Sequence, residues 1–116
     1  MISRAHRFHG RGSLRYVYQR GQTVRGDSIQ LRYVRNDRRK DFRAAIVVSR
    51  KVHKSAVVRN RIRRRLYAVL QAQPDLQVTP VDIVVTVFDS RFATMPAPEL
   101  VKSMQNLLAQ TRPTSL

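Results

Sequence analysis

The spacing of apolar residues assigns most of the chain to regular elements. Leu14, Val17 and Tyr18 recur at i, i+3 and i+4, which predicts a short helix over Leu14 to Arg20. Ser13 is its expected N-cap and Gly21 its stop. Ser28 to Arg35 alternates, with Ile29, Leu31 and Tyr33 on one side and Gln30 and Arg32 on the other, as a half-buried strand does. A turn of charges follows, Asn36 to Asp41, and then a second strand, Phe42 to Ser49, containing the run Ala44 to Val48. That spacing suggests a hairpin. Short extra strands are expected around Gln22 to Arg25.

Residues 50–55 form a basic loop, and Ser55 caps a long helix from about Ala56 to Ala72, with Pro74 just beyond it. Val81 to Phe88 is dense in β-branched residues and reads as a strand buried on much of both faces. Pro96 and Pro98 introduce a last helix, with Pro98 tolerated in its first turn. Its stripe is Leu100, Val101, Met104, Leu107 and Leu108. The order α-β-β-(β)-α-β-α predicts an α+β protein, a two-layer sandwich of helices on a sheet. The 116 residues are read as one domain, with a basic tail over 1–12, a folded core over 13–111 and a short tail over 112–116.

Charge changes this picture. The chain has 23 Lys+Arg against seven Asp+Glu, a net of +16. Residues 1–65 carry 20 of the cations and three of the acids, so the excess lies in the first half. Such a surface calls for a polyanion. No apolar run approaches the roughly 20 residues of a membrane helix, so no membrane partner is expected. The basic, acid-free start has the composition of a transit peptide but no secretory h-region, and its helix pattern assigns it to the folded chain. A cytoplasmic protein is expected. Cysteine is absent, which excludes disulfides, a thiol nucleophile and cysteine-based zinc sites.

The long helix concentrates the charge. At 100° per residue, Val58, Ile62, Leu66, Val69 and Leu70 fall on one apolar arc. Asn60, Arg61, Arg64 and Tyr67 fall on the far side, and Arg59, Arg63 and Arg65 on the flanks. Five arginines within seven residues repel one another with no acid in the helix to relieve them. Guanidinium forks match phosphate, so the cluster predicts a nucleic-acid contact rather than a stabilising one. Asn60, a mediocre helix former, is expected to serve a specific contact.

Candidate catalytic chemistry is thin. The acids are scattered, which argues against a two-metal nuclease. His6 and His9 have no carboxylate nearby and read as solvated tail residues, and Phe8 as a staple onto the sheet. His53 is in reach of a phosphate. Tyr18 is the best candidate for stacking on a base.

Ser49-Arg50-Lys51, followed by Ala56-Val57-Val58-Arg59-Asn60-Arg61-Ile62-Arg63-Arg64, resembles the RNR signature of the bacterial ribonuclease P protein subunit. Leu14 to Gly21 is similar to that family's first helix, and the resemblance spans roughly residues 4–110. It implies an unusual left-handed crossover between parallel strands. It also implies that the chain binds the ribonuclease P catalytic RNA and precursor tRNA and assists removal of the 5′ leader. The RNA would perform the hydrolysis with Mg²⁺ that it mainly holds itself. Arg50, Lys51, Lys54, Arg59, Asn60, Arg61, Arg63, Arg64 and Arg65 would contact RNA, and Leu14, Arg15, Tyr18 and Arg32 would line a leader cleft.

The chain departs from the family where Arg65, Tyr67 and Ala68 occupy positions usually Leu, Arg and Glu, and where Asp89-Ser90-Arg91 replaces a more basic stretch. With Leu14 and Arg32 in the cleft, charge is favoured over stacking. The alternative is a ribosomal-type protein or general RNA chaperone. Neither pattern nor motif fixes an oligomeric state. If about six arginines each neutralise one phosphate, log K for RNA should fall against log salt with a slope of roughly −4 to −5. A salt titration of binding measures it, and a flat response would remove the electrostatic reading.

Overall fold

The computed structural model describes residues 11–36, 38, 42–74 and 80–111. The expectations for Phe8, His6 and His9 lie outside these residues, as does most of the charged turn. The elements are α1 (Arg11–Arg20), β1 (Gln22–Gly26), β2 (Ile29–Arg35), β3 (Arg43–Val48), α2 (Ala56–Gln71), β4 (Val81–Val87) and α3 (Ala97–Ala109). A 3₁₀ turn, Ser90–Ala93, precedes α3. The predicted α+β class and element order hold. Ser13 lies inside α1, two residues past its start, so it is not the cap. Gly21 does close α1. Its N–H donates to the Val17 carbonyl at 2.8 Å. A Cβ there would sit 2.4 Å from that oxygen and 2.9 Å from the Tyr33 carbonyl, so only glycine lets the chain turn so close to β2.

The sheet order is β1-β2-β4-β3, which corrects the predicted hairpin between the second and third strands. β2 pairs antiparallel with β1 and with β4, and β3 pairs parallel with β4. The tight hairpin is instead β1–β2, turned at Asp27 and Ser28, with Ser28 in the left-handed region at φ 63°. The physical reason lies in β4. Val81, Ile83, Val85 and Val87 are buried on one face and Val84 on the other. A strand apolar on both faces is best covered at the centre of a sheet, and β4 displaces the local β2–β3 pairing.

One face of the sheet holds the main core. Ile29 and Leu31 of β2, Ala44, Ile46 and Val48 of β3, and the odd-numbered residues of β4 meet Ile62, Leu66, Val69 and Leu70 of α2 there. Phe92, Leu100, Met104 and Leu107 complete it. α2 starts where the cap predicted, since the Ser55 hydroxyl accepts the Val58 N–H at 3.4 Å. The predicted α3 stripe faces the core, with Val101 and Leu108 at its margin. Tyr67 departs from its predicted far-side place. It packs against the core, and its hydroxyl accepts the Ile46 N–H at 3.2 Å. Its side chain is long enough to reach β3 from the flank of the helix.

α1 contacts β2 and β4. It crosses the opposite face, which carries Arg32 and its cross-strand partner Val84. Val17 and Val84 are fully buried there and stand outside the main core. At one end of this face Asp82, 2% exposed, accepts Arg43 Nε at 3.0 Å, Arg43 Nη2 at 2.8 Å and the Asn36 amide at 3.0 Å. Removing one partner of such a buried pair strands the other charge. Asp82→Ala should cost about 3–5 kcal/mol of stability, read from the urea midpoint of unfolding. A change below about 1 kcal/mol would show that the pair is not what holds β3 against β4 at this end.

Candidate nucleic-acid interface

The basic residues divide according to whether the fold uses their donors. On α2, Arg61 and Arg64 are exposed and make no hydrogen bond or ion pair among the described residues. Asn60 stands beside them, exposed, with its side-chain oxygen accepting from Arg63 Nη1 at 2.6 Å. This leaves the Asn60 NH₂ as an outward donor. Arg63 also donates to the Val48 carbonyl at 3.2 Å, which fixes its direction and ties α2 to the end of β3. Arg59 is half-buried and reaches the His53 carbonyl at 3.4 Å.

The loop before α2 is built rather than loose. Val52 packs on the core, and its N–H donates to the Ser49 carbonyl at 3.0 Å. The Ser55 N–H donates to His53 Nδ1 at 3.0 Å, so a neutral His53 carries its proton on Nε2. Arg50, Lys51 and Lys54 project from this frame, exposed and without recorded partners among the described residues. The loop and the first turns of α2 thus present five cations with free donors, Arg50, Lys51, Lys54, Arg61 and Arg64, and no described acid pairs with any of them.

Arg65 is placed differently from the others. Its Nη1 donates to the Phe92 carbonyl at 2.7 Å and its Nη2 to the Met95 carbonyl. The fork is occupied by backbone between the 3₁₀ turn and α3, so Arg65 fastens α2 to the last third of the chain. Arg32 does similar work across the sheet. It donates to the Val17 carbonyl at 3.1 Å, to the Tyr18 carbonyl and to Thr23 Oγ1 at 2.9 Å. A cation on the last-turn carbonyls of α1 also complements the helix dipole.

Of the four predicted cleft residues, these bonds join Arg32 to the Tyr18 backbone, and Leu14 and Arg15 lie on the same helix. Arg32 lies beneath the C-terminal half of α1, Leu14 is half-buried, and Arg15 and Tyr18 are exposed. The α2 set lies on the other side of the sheet, and residues 49–55 run between the two sides at the C-terminal end of β3. Sequence reasoning missed the exposure of two aromatics, Tyr16 of α1, at 50%, and Phe88. Phe88, read as the end of a buried strand, is 58% exposed. Its place at the end of the apolar run, directly before the polar Asp89-Ser90-Arg91, was the signal available.

Among the described residues no three His, Cys, Asp or Glu side chains gather as a metal site requires. Asp82 is committed to Arg43, and Asp89 accepts the Arg91 N–H at 2.8 Å. A protein cage for Mg²⁺ does not fit this set. No described helix is long and apolar enough to cross a membrane. The division of arginines has a measurable consequence. Arg65→Ala should lower stability by about 1–3 kcal/mol, because two partly buried carbonyls lose a charged donor. Arg61→Ala should stay within about 0.5 kcal/mol of the parent. Equal midpoints in urea would contradict the division.

The sequence profile of the family described as Ribonuclease P matches residues 2–112. A ribonuclease P protein component from a Pseudanabaena species is 33% identical over 113 residues, covering 97% of this chain and 96% of that protein. One from Synechococcus elongatus is 40% identical over 72 residues, 60% of this chain and 59% of that protein. Among solved structures, the Staphylococcus aureus RNase P protein superposes with a TM-score of 0.79 at 22% identity, covering 94% of this chain and 97% of that one. The Thermotoga maritima RNase P protein gives 0.75 at 20% identity, with 85% and 91% covered. The profile spans nearly the whole chain and the Pseudanabaena relative matches 97% of it at 33% identity, so the chain belongs to the ribonuclease P protein family.

Proposed function

We propose that this chain binds the catalytic RNA of ribonuclease P and the 5′ leader of precursor tRNA, and that the RNA, not a protein side chain, cleaves the leader. One observation carries the reading. The helix with the family signature directs Asn60, Arg61 and Arg64 outward with donors unpaired among the described residues, beside Arg50, Lys51 and Lys54. Exposed guanidinium and ammonium groups without acids among them are complementary to a phosphate backbone. Arg59 and Arg63 add charge from anchored positions, and Arg65 acts by holding the helix in place.

On the opposite face, Arg15 and Tyr18 of α1 flank the sheet, with Leu14 and Arg32 behind them. The leader would lie there, held by charge first and by the Tyr18 ring second. Mg²⁺ belongs to the RNA in this reading, because the described acids form no cluster. The protein's part is to lower the repulsion between phosphates that the RNA must bring close, which makes it most valuable where Mg²⁺ is scarce. Family membership supports this role over that of a general RNA chaperone, and work on precursor tRNA would put the protein in the cytoplasm.

Reconstitution tests the proposal. Precursor tRNA is offered to the protein alone, to the catalytic RNA alone and to both. Stimulation of cleavage only when the RNA is present supports it, and cleavage by the protein alone would overturn it. In the same assay the pair Arg61→Ala and Arg64→Ala should reduce processing by about tenfold or more at low Mg²⁺ and far less at high Mg²⁺. An equal loss at every Mg²⁺ concentration would refute the charge-relief role.

A further inference from the structure

Phe88 is a large apolar side chain left 58% exposed beside the most basic turn of the described fold. It is not a frayed residue. Its N–H donates to the Ser28 carbonyl at 2.9 Å, extending the β2–β4 ladder one step past Val87. Alternation along β4 puts Phe88 on the same face as Val84 and Thr86, the face that α1 crosses. Val84 is fully buried, Thr86 is half-buried and Phe88 is exposed, so cover falls away along the strand. Four residues of strand separate Val84 from Phe88, about 13 Å.

What lies beside Phe88 is charge. Val48 of β3 pairs with Val87 in parallel register, so Ser49 runs alongside Phe88, and Arg50 and Lys51 follow directly. Both are exposed, with no recorded partner among the described residues. The acids nearby are engaged: Asp89 accepts the Arg91 N–H and caps the 3₁₀ turn, and Asp27, next to Ser28 on the β2 side, pairs with Arg91 Nη2 at 2.9 Å. An aromatic face held on a strand next to two cations that are unpaired among the described residues is the pairing that single-stranded nucleic acid uses. The base stacks and the flanking phosphates meet the cations.

We infer that Phe88 is a stacking platform for an unpaired RNA base, with Arg50 and Lys51 holding the adjacent phosphates. This rests on the RNA-binding role proposed above and adds a contact to it. The contact lies at the β4 end of the open sheet face, about 13 Å along the strand from the part that α1 covers. Selectivity follows from the chemistry. A stacking site distinguishes RNA from a polyanion that has no bases, which the arginines of α2 alone do not.

The test uses the full chain, an oligoadenylate and inorganic polyphosphate at one fixed salt concentration. The chain has no tryptophan, so Phe88→Trp places a single reporter at the site. Its fluorescence should be quenched by oligoadenylate and not by polyphosphate. Phe88→Ala should weaken oligoadenylate binding by about fivefold to a hundredfold, with polyphosphate affinity and the thermal midpoint unchanged. Phe88→Tyr should restore the oligoadenylate affinity. If the parent binds oligoadenylate and Phe88→Ala binds it equally well, the platform is refuted and the RNA-binding role stands. Equal losses for both ligands would also refute it, since they would report a change in charge or fold. A change in self-association on sedimentation, with RNA binding intact, would reassign Phe88 to a protein contact. Failure of the parent to bind either ligand would remove both proposals together.

Discussion

Burying β4 on both faces requires cover on both sides of one sheet, and the remaining elements are arranged to provide it. Ile83, Val85 and Val87 draw α2 and α3 onto one face, where the main core forms. Val84 draws α1 onto the other through Val17. The first cover is wide and the second narrow. A narrow cover leaves part of a flat, rigid sheet open beside a helix, and binding surfaces of this kind are common where ligands are long and thin. The parallel neighbour β3 then needs a crossover to reach β4, and α2 is that crossover. The helix with the densest charge is therefore also the one most firmly built into the core.

That coincidence explains how the chain tolerates its own charge. Five arginines close together on one helix repel, and nothing acidic in α2 offsets them. Three of them are directed at backbone carbonyls, Arg59 at His53, Arg63 at Val48 and Arg65 at Phe92 and Met95. Each such bond replaces hydration with a fixed acceptor and points the positive charge away from its neighbours. Arg32 and Arg43 follow the same rule elsewhere, on the carbonyls of α1 and on Asp82. Arginine suits both tasks, since its planar fork bonds two acceptors at once and does not lose its proton. The high arginine content is thus partly scaffolding and partly surface.

Local features were legible in the sequence. The cap at Ser55, the apolar arc of α2 and the stripe of α3 depend on residues within a few positions of one another, and each appeared where the pattern placed it. The strand pairing was not legible. β2 and β3 follow one another closely in sequence, but pairing is decided by what β4 gains at the centre, which is a contact between residues 46 to 58 positions apart. Site residues show the same division. The signature located the basic helix, and composition counted its charges. Which guanidinium would meet a carbonyl depended on where Val48, Phe92 and Met95 came to rest. The wheel put Arg65 on a flank and Arg61 on the far side, but it could not show which carbonyls a flank arginine would meet. Tyr67 was misplaced by the helical wheel because a wheel records direction and omits reach.

The reach of Tyr67 bears on how the protein behaves at high concentration. β3 is an outer strand of the sheet, and the outward N–H groups of such a strand are templates for pairing with another chain. The Tyr67 hydroxyl occupies the one at Ile46, in the middle of the strand, and its ring lies against the core margin there. A foreign strand would have to displace the ring before it could add to the sheet. Together with like-charge repulsion between whole molecules, this works against aggregation in the interval between synthesis and capture by RNA.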